Sequence, residues 1–99
     1  MLIHAVYFWL KDSLSAAEKA EFRKGVESLA KIEVSTHTWV GVPSKTERPG
    51  IVERSYSIGL VVAFKDMAAH DAYQVHPIHL AFLAKHKTDW AKIVVYDSE

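Results

Sequence analysis

The sequence predicts an α+β fold, an antiparallel sheet of four strands covered on one face by helices. Three observations lead there. Runs rich in aromatic and β-branched residues stand at both ends of the chain and twice in its middle, at 2–10, 34–42, 55–64 and 90–97. A helix signal with a capping box separates the first run from the second, and a helical stretch broken at His76-Pro77 separates the third from the fourth. The order is therefore β-α-β-β-α-β, which right-handed crossovers close into a ferredoxin-like sheet. Ninety-nine residues suit one domain, residues 1–99.

The first strand, LIHAVYFWL, alternates Leu2, His4, Val6, Phe8 and Leu10 on one face with Ile3, Ala5, Tyr7 and Trp9 on the other. Both faces are apolar apart from His4, so both need covering. Ser15-Ala-Ala-Glu18 forms the capping box of a helix predicted over Ala16 to Lys31, with Phe22, Val26 and Leu29 on its buried stripe. The second strand ends before Pro43, and the polar stretch to Arg54, with a turn at Pro49-Gly50, reads as a loop. The third strand is almost uninterruptedly apolar from Ile58 to Phe64, and Gly59 within it marks a bulge or a close approach to the backbone. Asp66 caps a short helix to about Val75; Pro77 opens another, kinked against the first. Trp90 and Ile93-Val94-Val95-Tyr96 make the last strand, which stops at Asp97.

Bulk composition removes several functions. Twelve basic and twelve acidic residues cancel, so no net field draws the chain to nucleic acid or an anionic membrane. The run Leu2 to Leu10 is too short to span a bilayer and lacks the flanks of a signal peptide. With no cysteine there are no disulfides and no thiolate chemistry, which fits a cytoplasmic location. Apolar residues make up 49% of the chain, more than a domain this small easily hides. A second copy packed sheet to sheet over Ile3, Tyr7 and Trp9 would cover the surplus, so a homodimer is expected.

Proton-carrying side chains concentrate between Phe64 and His86, where four of the six histidines stand beside Tyr73: His70, His76, His79 and His86. His79, Phe82, Leu83 and His86 share one helix face. In the predicted fold His4 points with Val6 and Phe8 toward that layer, which outlines an apolar small-molecule pocket with few polar groups. His79 suits a general base, Tyr73 a hydrogen-bond donor to a developing oxyanion, and His4 a holder of a substrate oxygen. The alternative is that His79 and Tyr73 only satisfy each other or a backbone carbonyl under the sheet. His76-x-x-His79 has the spacing of two metal ligands, but the kink spoils it and no carboxylate is obviously placed as a third, so neither metal nor other cofactor is expected. His76 is expected to cap the helix at Pro77, and His70, His86 and His37 to be partly exposed.

These residues resemble a known family. His4-Ala-Val with Phe8, Tyr56-Ser and the apolar run to Phe64-Lys65-Asp66, Tyr73-Gln-Val-His76-Pro77-Ile-His79, and Val94-Val-Tyr-Asp97 are similar to the stress-responsive A/B barrel, or Dabb, proteins, which are dimeric α+β barrels. The resemblance covers essentially the whole chain. It implies the fold and dimer read above, and a role linked in plants to stress response. One plant member closes a polyketide by aldol condensation between helices and sheet; its catalytic His and Tyr fall on His79 and Tyr73, and a pocket His on His4. A further pocket Tyr falls near Val26, where this chain has no hydroxyl; Val26 and Phe82 are expected to line the pocket with His4, Val6 and Phe8. The function expected is a homodimer that binds or transforms a small apolar, aromatic or polyketide-like ligand. A non-catalytic stress-response dimer and a cofactor-free monooxygenase using His and Trp are the alternatives.

Overall fold

A computed structural model describes all 99 residues. Strand β1 (Leu2–Leu10) lies inside the sheet between β3 (Ile58–Phe64) and β4 (Trp90–Ser98), with β2 (Ser35–Gly41) beyond β3 and every neighbour antiparallel. This is the ferredoxin-like order. Helices α1 (Ala16–Ser28), α2 (Met67–Gln74) and α3 (Pro77–His86) cover one face. Alternation along the strands decides the core: Leu2, Val6 and Phe8 of β1 and Ile58, Leu60, Val62 and Phe64 of β3 meet Phe22, Val26, Leu29, Tyr73 and Phe82.

The local signals act as the residues dictate. The Glu18 N–H donates to Ser15 Oγ at 3.1 Å while the Ser15 N–H donates to Glu18 Oε1 at 2.8 Å, closing the capping box. Asp66 Oδ1 accepts from the Ala69 N–H at 2.9 Å. His76 Nδ1 accepts from the Ile78 N–H at 3.1 Å, so His76 caps the helix that Pro77 opens. Gly59 carries no bulge. It is instead a close approach, since a Cβ there would lie 3.2 Å from the Tyr7 ring paired opposite.

Some boundaries differ from the sequence reading. The first α-helix stops at Ser28 and Leu29–Lys31 continue as a tighter 3₁₀ turn, which swings Ile32 into the core. Strand β3 begins at Ile58 rather than Ser55; before it, the Ser57 N–H donates to the Phe8 carbonyl at 2.7 Å, Ser57 Oγ accepts from the Leu10 N–H and Ser55 Oγ from the Trp9 indole N–H. The last strand runs one residue further, to Ser98.

Two surfaces matter for function. Strand β4 is a sheet edge whose helix-side residues Ile93 and Val95 remain 40% and 44% exposed, because the helices do not reach fully over it. The opposite sheet face has no cover: Ile3, Tyr7 and Trp9 are only half-buried, and Trp39 and Tyr96 stand 58% and 66% exposed beside them. Tyr7 already packs edge-on against Tyr56, with ring centroids 4.9 Å apart, within this aromatic face.

Candidate functional site

Between the helix layer and the β4 side of the sheet lies a cavity of about 180 Å³. Antiparallel register builds its floor, since His4 pairs with Asp97, Val6 with Val95 and Phe8 with Ile93. Six residues expected at the site line it: His4, Val6, Phe8, Tyr73, His79 and Phe82. Val26 does not. It is fully buried between α1 and the sheet, and Leu29, nearly one turn further on, forms the wall instead. Trp90 opens β4 as expected and also lines the cavity, its ring centroid 5.2 Å from that of Phe8.

The polar groups differ sharply in how they are satisfied. Tyr73 is wholly buried, its ring centroid 5.1 Å from that of His79 and 6.3 Å from that of His4. Yet the Tyr73 hydroxyl and His79 Nδ1 have no hydrogen-bond partner in the protein and almost no solvent contact. The two rings touch without satisfying each other, though His79 also meets the backbone carbonyl of Gln74, one of the partners the sequence left open. Leaving such groups unpaired is costly, and native structures contain few of them.

Burial drives the titration of both groups. Desolvation holds the His79 pKa below the ordinary imidazole value; the Gln74 backbone carbonyl opposes this, and the neighbouring His4 and His70 rings add to it. His79 is therefore a neutral base at neutral pH. Burial alone pushes the Tyr73 phenol well above its usual value, so it remains a protonated donor.

His4 is oriented from outside the cavity. Its Nδ1 donates to Asp97 Oδ1 at 2.5 Å, across the β1–β4 pair. A carboxylate only accepts, so Nδ1 carries a proton and Nε2 is the nitrogen left clear of Asp97. Asp97 is a site neighbour beyond those expected from the sequence. The signal was present: Ile93, Val95 and Asp97 share one strand face, and the end of an antiparallel last strand meets the start of the first.

The other histidines separate. His76 Nε2 faces Glu33 Oε2 at 3.3 Å, so both of its ring nitrogens are engaged away from His79. His86, expected to be partly exposed, is buried under Gly25 and bonded through Nδ1 to Asp89 Oδ2 at 2.8 Å. His70 packs edge-on against His4, with ring centroids 5.4 Å apart.

Fold and site together define a ferredoxin-like α+β domain with a half-open apolar cavity holding a buried histidine and tyrosine. The chain belongs to the stress-responsive A/B barrel (Dabb) family, whose model matches residues 2–99. Olivetolic acid cyclase of Cannabis sativa is 24% identical over 94 residues, covering 95% of this chain and 91% of that protein. Among solved structures, a Dabb protein with a ferredoxin-like fold from Mesorhizobium loti is 27% identical, with a TM-score of 0.78 over 99% of this chain and 94% of that one. A dimeric protein of unknown function with a ferredoxin-like fold from Bacteroides fragilis is 28% identical, with a TM-score of 0.73 over 99% and 94% of the two chains. No helix is long and apolar enough to cross a membrane.

Proposed function

We propose that this chain binds a small carbonyl-bearing aromatic or polyketide-like molecule in the cavity and acts on it by acid–base catalysis. His79 is the general base, Tyr73 the donor to the oxyanion, and His4 holds a second ligand oxygen. The observation that carries this reading is the pair of unpartnered polar atoms, Tyr73 Oη and His79 Nδ1, on residues that line one cavity. Both atoms are shielded, so a ligand reaches them by displacing part of the apolar lining, and it then supplies the bonds they lack.

The chemistry balances without a cofactor. Neutral His79 removes a proton from carbon next to a carbonyl, and the developing enolate oxygen accepts a hydrogen bond from Tyr73. The enolate carbon attacks a second carbonyl of the same molecule, and the proton on His79 returns to the new alkoxide. The likeness to olivetolic acid cyclase supports a ring closure of this kind. The missing hydroxyl at Val26 argues for a different substrate. The volume points to size: about 180 Å³ is near the ~150 Å³ that encloses one benzene-sized molecule, so a single ring fits with any tail leaving past Ile93 and Val95.

The protein that carries the site is a homodimer in a reducing compartment such as the cytoplasm. Its copies pack through the sheet face of Ile3, Tyr7 and Trp9. The uncovered aromatics support this, since each 100 Å² of apolar surface left wet forgoes roughly 2.5 kcal/mol, and the dimeric Bacteroides relative supports it too. Light scattering on Tyr7→Asp should show a monomer where the parent is a dimer.

The catalytic test is deuterium uptake in D₂O at the carbon between the carbonyls of a β-diketone or β-keto ester probe, with probe binding followed by NMR. The parent should accelerate exchange, and His79→Ala should bind the probe but lose the acceleration. Undiminished exchange by His79→Ala removes the base assignment. Probe binding with no exchange by the parent leaves the non-catalytic ligand-binding dimer as the correct reading.

A further inference from the structure

Three chain segments distant in sequence bring cavity-lining His4 together with His70 and Asp97, each with a ligand atom within 4.8 Å of those of the other two. We infer that this trio is a divalent transition-metal site, of the kind that takes zinc. The donor set decides the class: two imidazoles and one carboxylate suit zinc or its neighbours, whereas magnesium and calcium prefer all-oxygen shells.

The geometry needs only side-chain adjustment. Around a tetrahedral ion with bonds near 2.1 Å, neighbouring donors stand about 3.4 Å apart. The His4–Asp97 hydrogen bond of 2.5 Å would open to admit the ion and the wider pair would close. Coordination through Nδ1 moves the His4 ring proton to Nε2. Two ligands have room for this, because the Asp97 and His70 side chains are 45% and 17% exposed, while buried His4 is the fixed point. A second shell is already present. His70 Nδ1 lies 3.1 Å from Asp71 Oδ1, the carboxylate contact that fixes the tautomer of a metal-bound imidazole and leaves Nε2 to coordinate. The His70 Nε2 contact to Gln74 is a long 3.4 Å and easily surrendered.

The site adds what the acid–base reading lacks. His4 lines the cavity, so an ion held there sits beside the ligand with an open coordination position. It would bind and polarise a ligand oxygen at the His4 end of the cavity, away from the end lined by Phe8 and Trp90. The inference does not depend on catalysis, because metal binding is measured without a substrate.

The test uses full-length protein without a histidine tag, stripped by chelator, and titrated calorimetrically with Zn²⁺ alone; Co²⁺ absorption reports the coordination number. Saturable binding of one Zn²⁺ per chain with a four-coordinate Co²⁺ spectrum is expected. His70→Ala and Asp97→Asn, both at accessible positions, should each weaken Zn²⁺ binding at least about tenfold while keeping the parent circular dichroism. His79→Ala and His76→Ala should bind as the parent does, which separates this site from the base and from adventitious surface histidines. Absence of saturable binding, or parent-like affinity in both His70→Ala and Asp97→Asn, overturns the assignment.

Discussion

Tyr73→Phe separates what the phenol does for the fold from what it does for the ligand. The ring packs 4.9 Å from Phe64 and is fully buried, so phenylalanine keeps every apolar contact. The hydroxyl contributes no hydrogen bond within the protein and is shielded from solvent. A buried polar group left unpaired costs about 1–3 kcal/mol, so its removal should stabilise the chain, by about 1 kcal/mol once neighbouring relaxation is allowed for. For a domain of 99 residues that is a rise in Tm of about 4–8 °C. Function should move the other way, because losing one donor to a developing oxyanion costs about 10²–10³ in rate. The assay pairs thermal and urea unfolding at one fixed protein concentration, since a dimer's Tm depends on it, with the deuterium-exchange measurement. A Tm lowered by several degrees would show that the hydroxyl has a structural partner. Undiminished exchange would remove Tyr73 from the chemistry even if stability rose.

Other substitutions probe the frame around the site. Gly25→Ala should gain up to about 1 kcal/mol of helix propensity. The new Cβ would lie 2.6 Å from Nε2 of buried His86, which Asp89 holds in place, and such overpacking costs about 1–3 kcal/mol. Urea titration should therefore show net destabilisation near 1 kcal/mol, turning to stabilisation in a His86→Ala background; additive effects would mean the two residues do not collide. Ser15→Ala removes the Oγ that accepts from Glu18 and should cost about 1 kcal/mol in the same assay. Acid should weaken the parent through His79. The native ring resists the proton that the unfolded ring accepts near its ordinary value, so stability falls as pH drops below about 6.5 and is regained above it. The neighbouring His4 and His70 rings contribute to holding the His79 pKa down. Urea midpoints at pH 7.5 and 5 should differ less in His79→Asn than in the parent. An equal difference in both would place the acid sensitivity elsewhere.

How far the sequence reached is decided by how local each determinant is. Ser15 and Glu18, Asp66, and His76 before Pro77 act within one helical turn, so each cap could be read from neighbouring letters and each is present. Period-two alternation put His4, Val6 and Phe8 on one face because a strand has no other choice. What escaped were contacts made by register and by close packing. Asp97 lies 93 positions from His4 and meets it only because β4 pairs antiparallel with β1 to its very end. His86 looked like an exposed helix residue because nothing nearby announces that Gly25, on another helix, leaves room for its ring. Val26 sits behind the wall rather than in it because α1 packs it fully against the core, while Leu29, three residues on along the same stripe, reaches the cavity. The histidine-rich segment therefore divides by tertiary partner rather than by spacing. His76 goes to Glu33, His86 to Asp89 and His70 packs edge-on against His4, and only His79 is left with a buried nitrogen, Nδ1, that has no hydrogen-bond partner. That residue, with the equally unpartnered Tyr73, is where a ligand has the most free energy to supply, and both became legible only when the hydrogen bonds of every neighbour were accounted for.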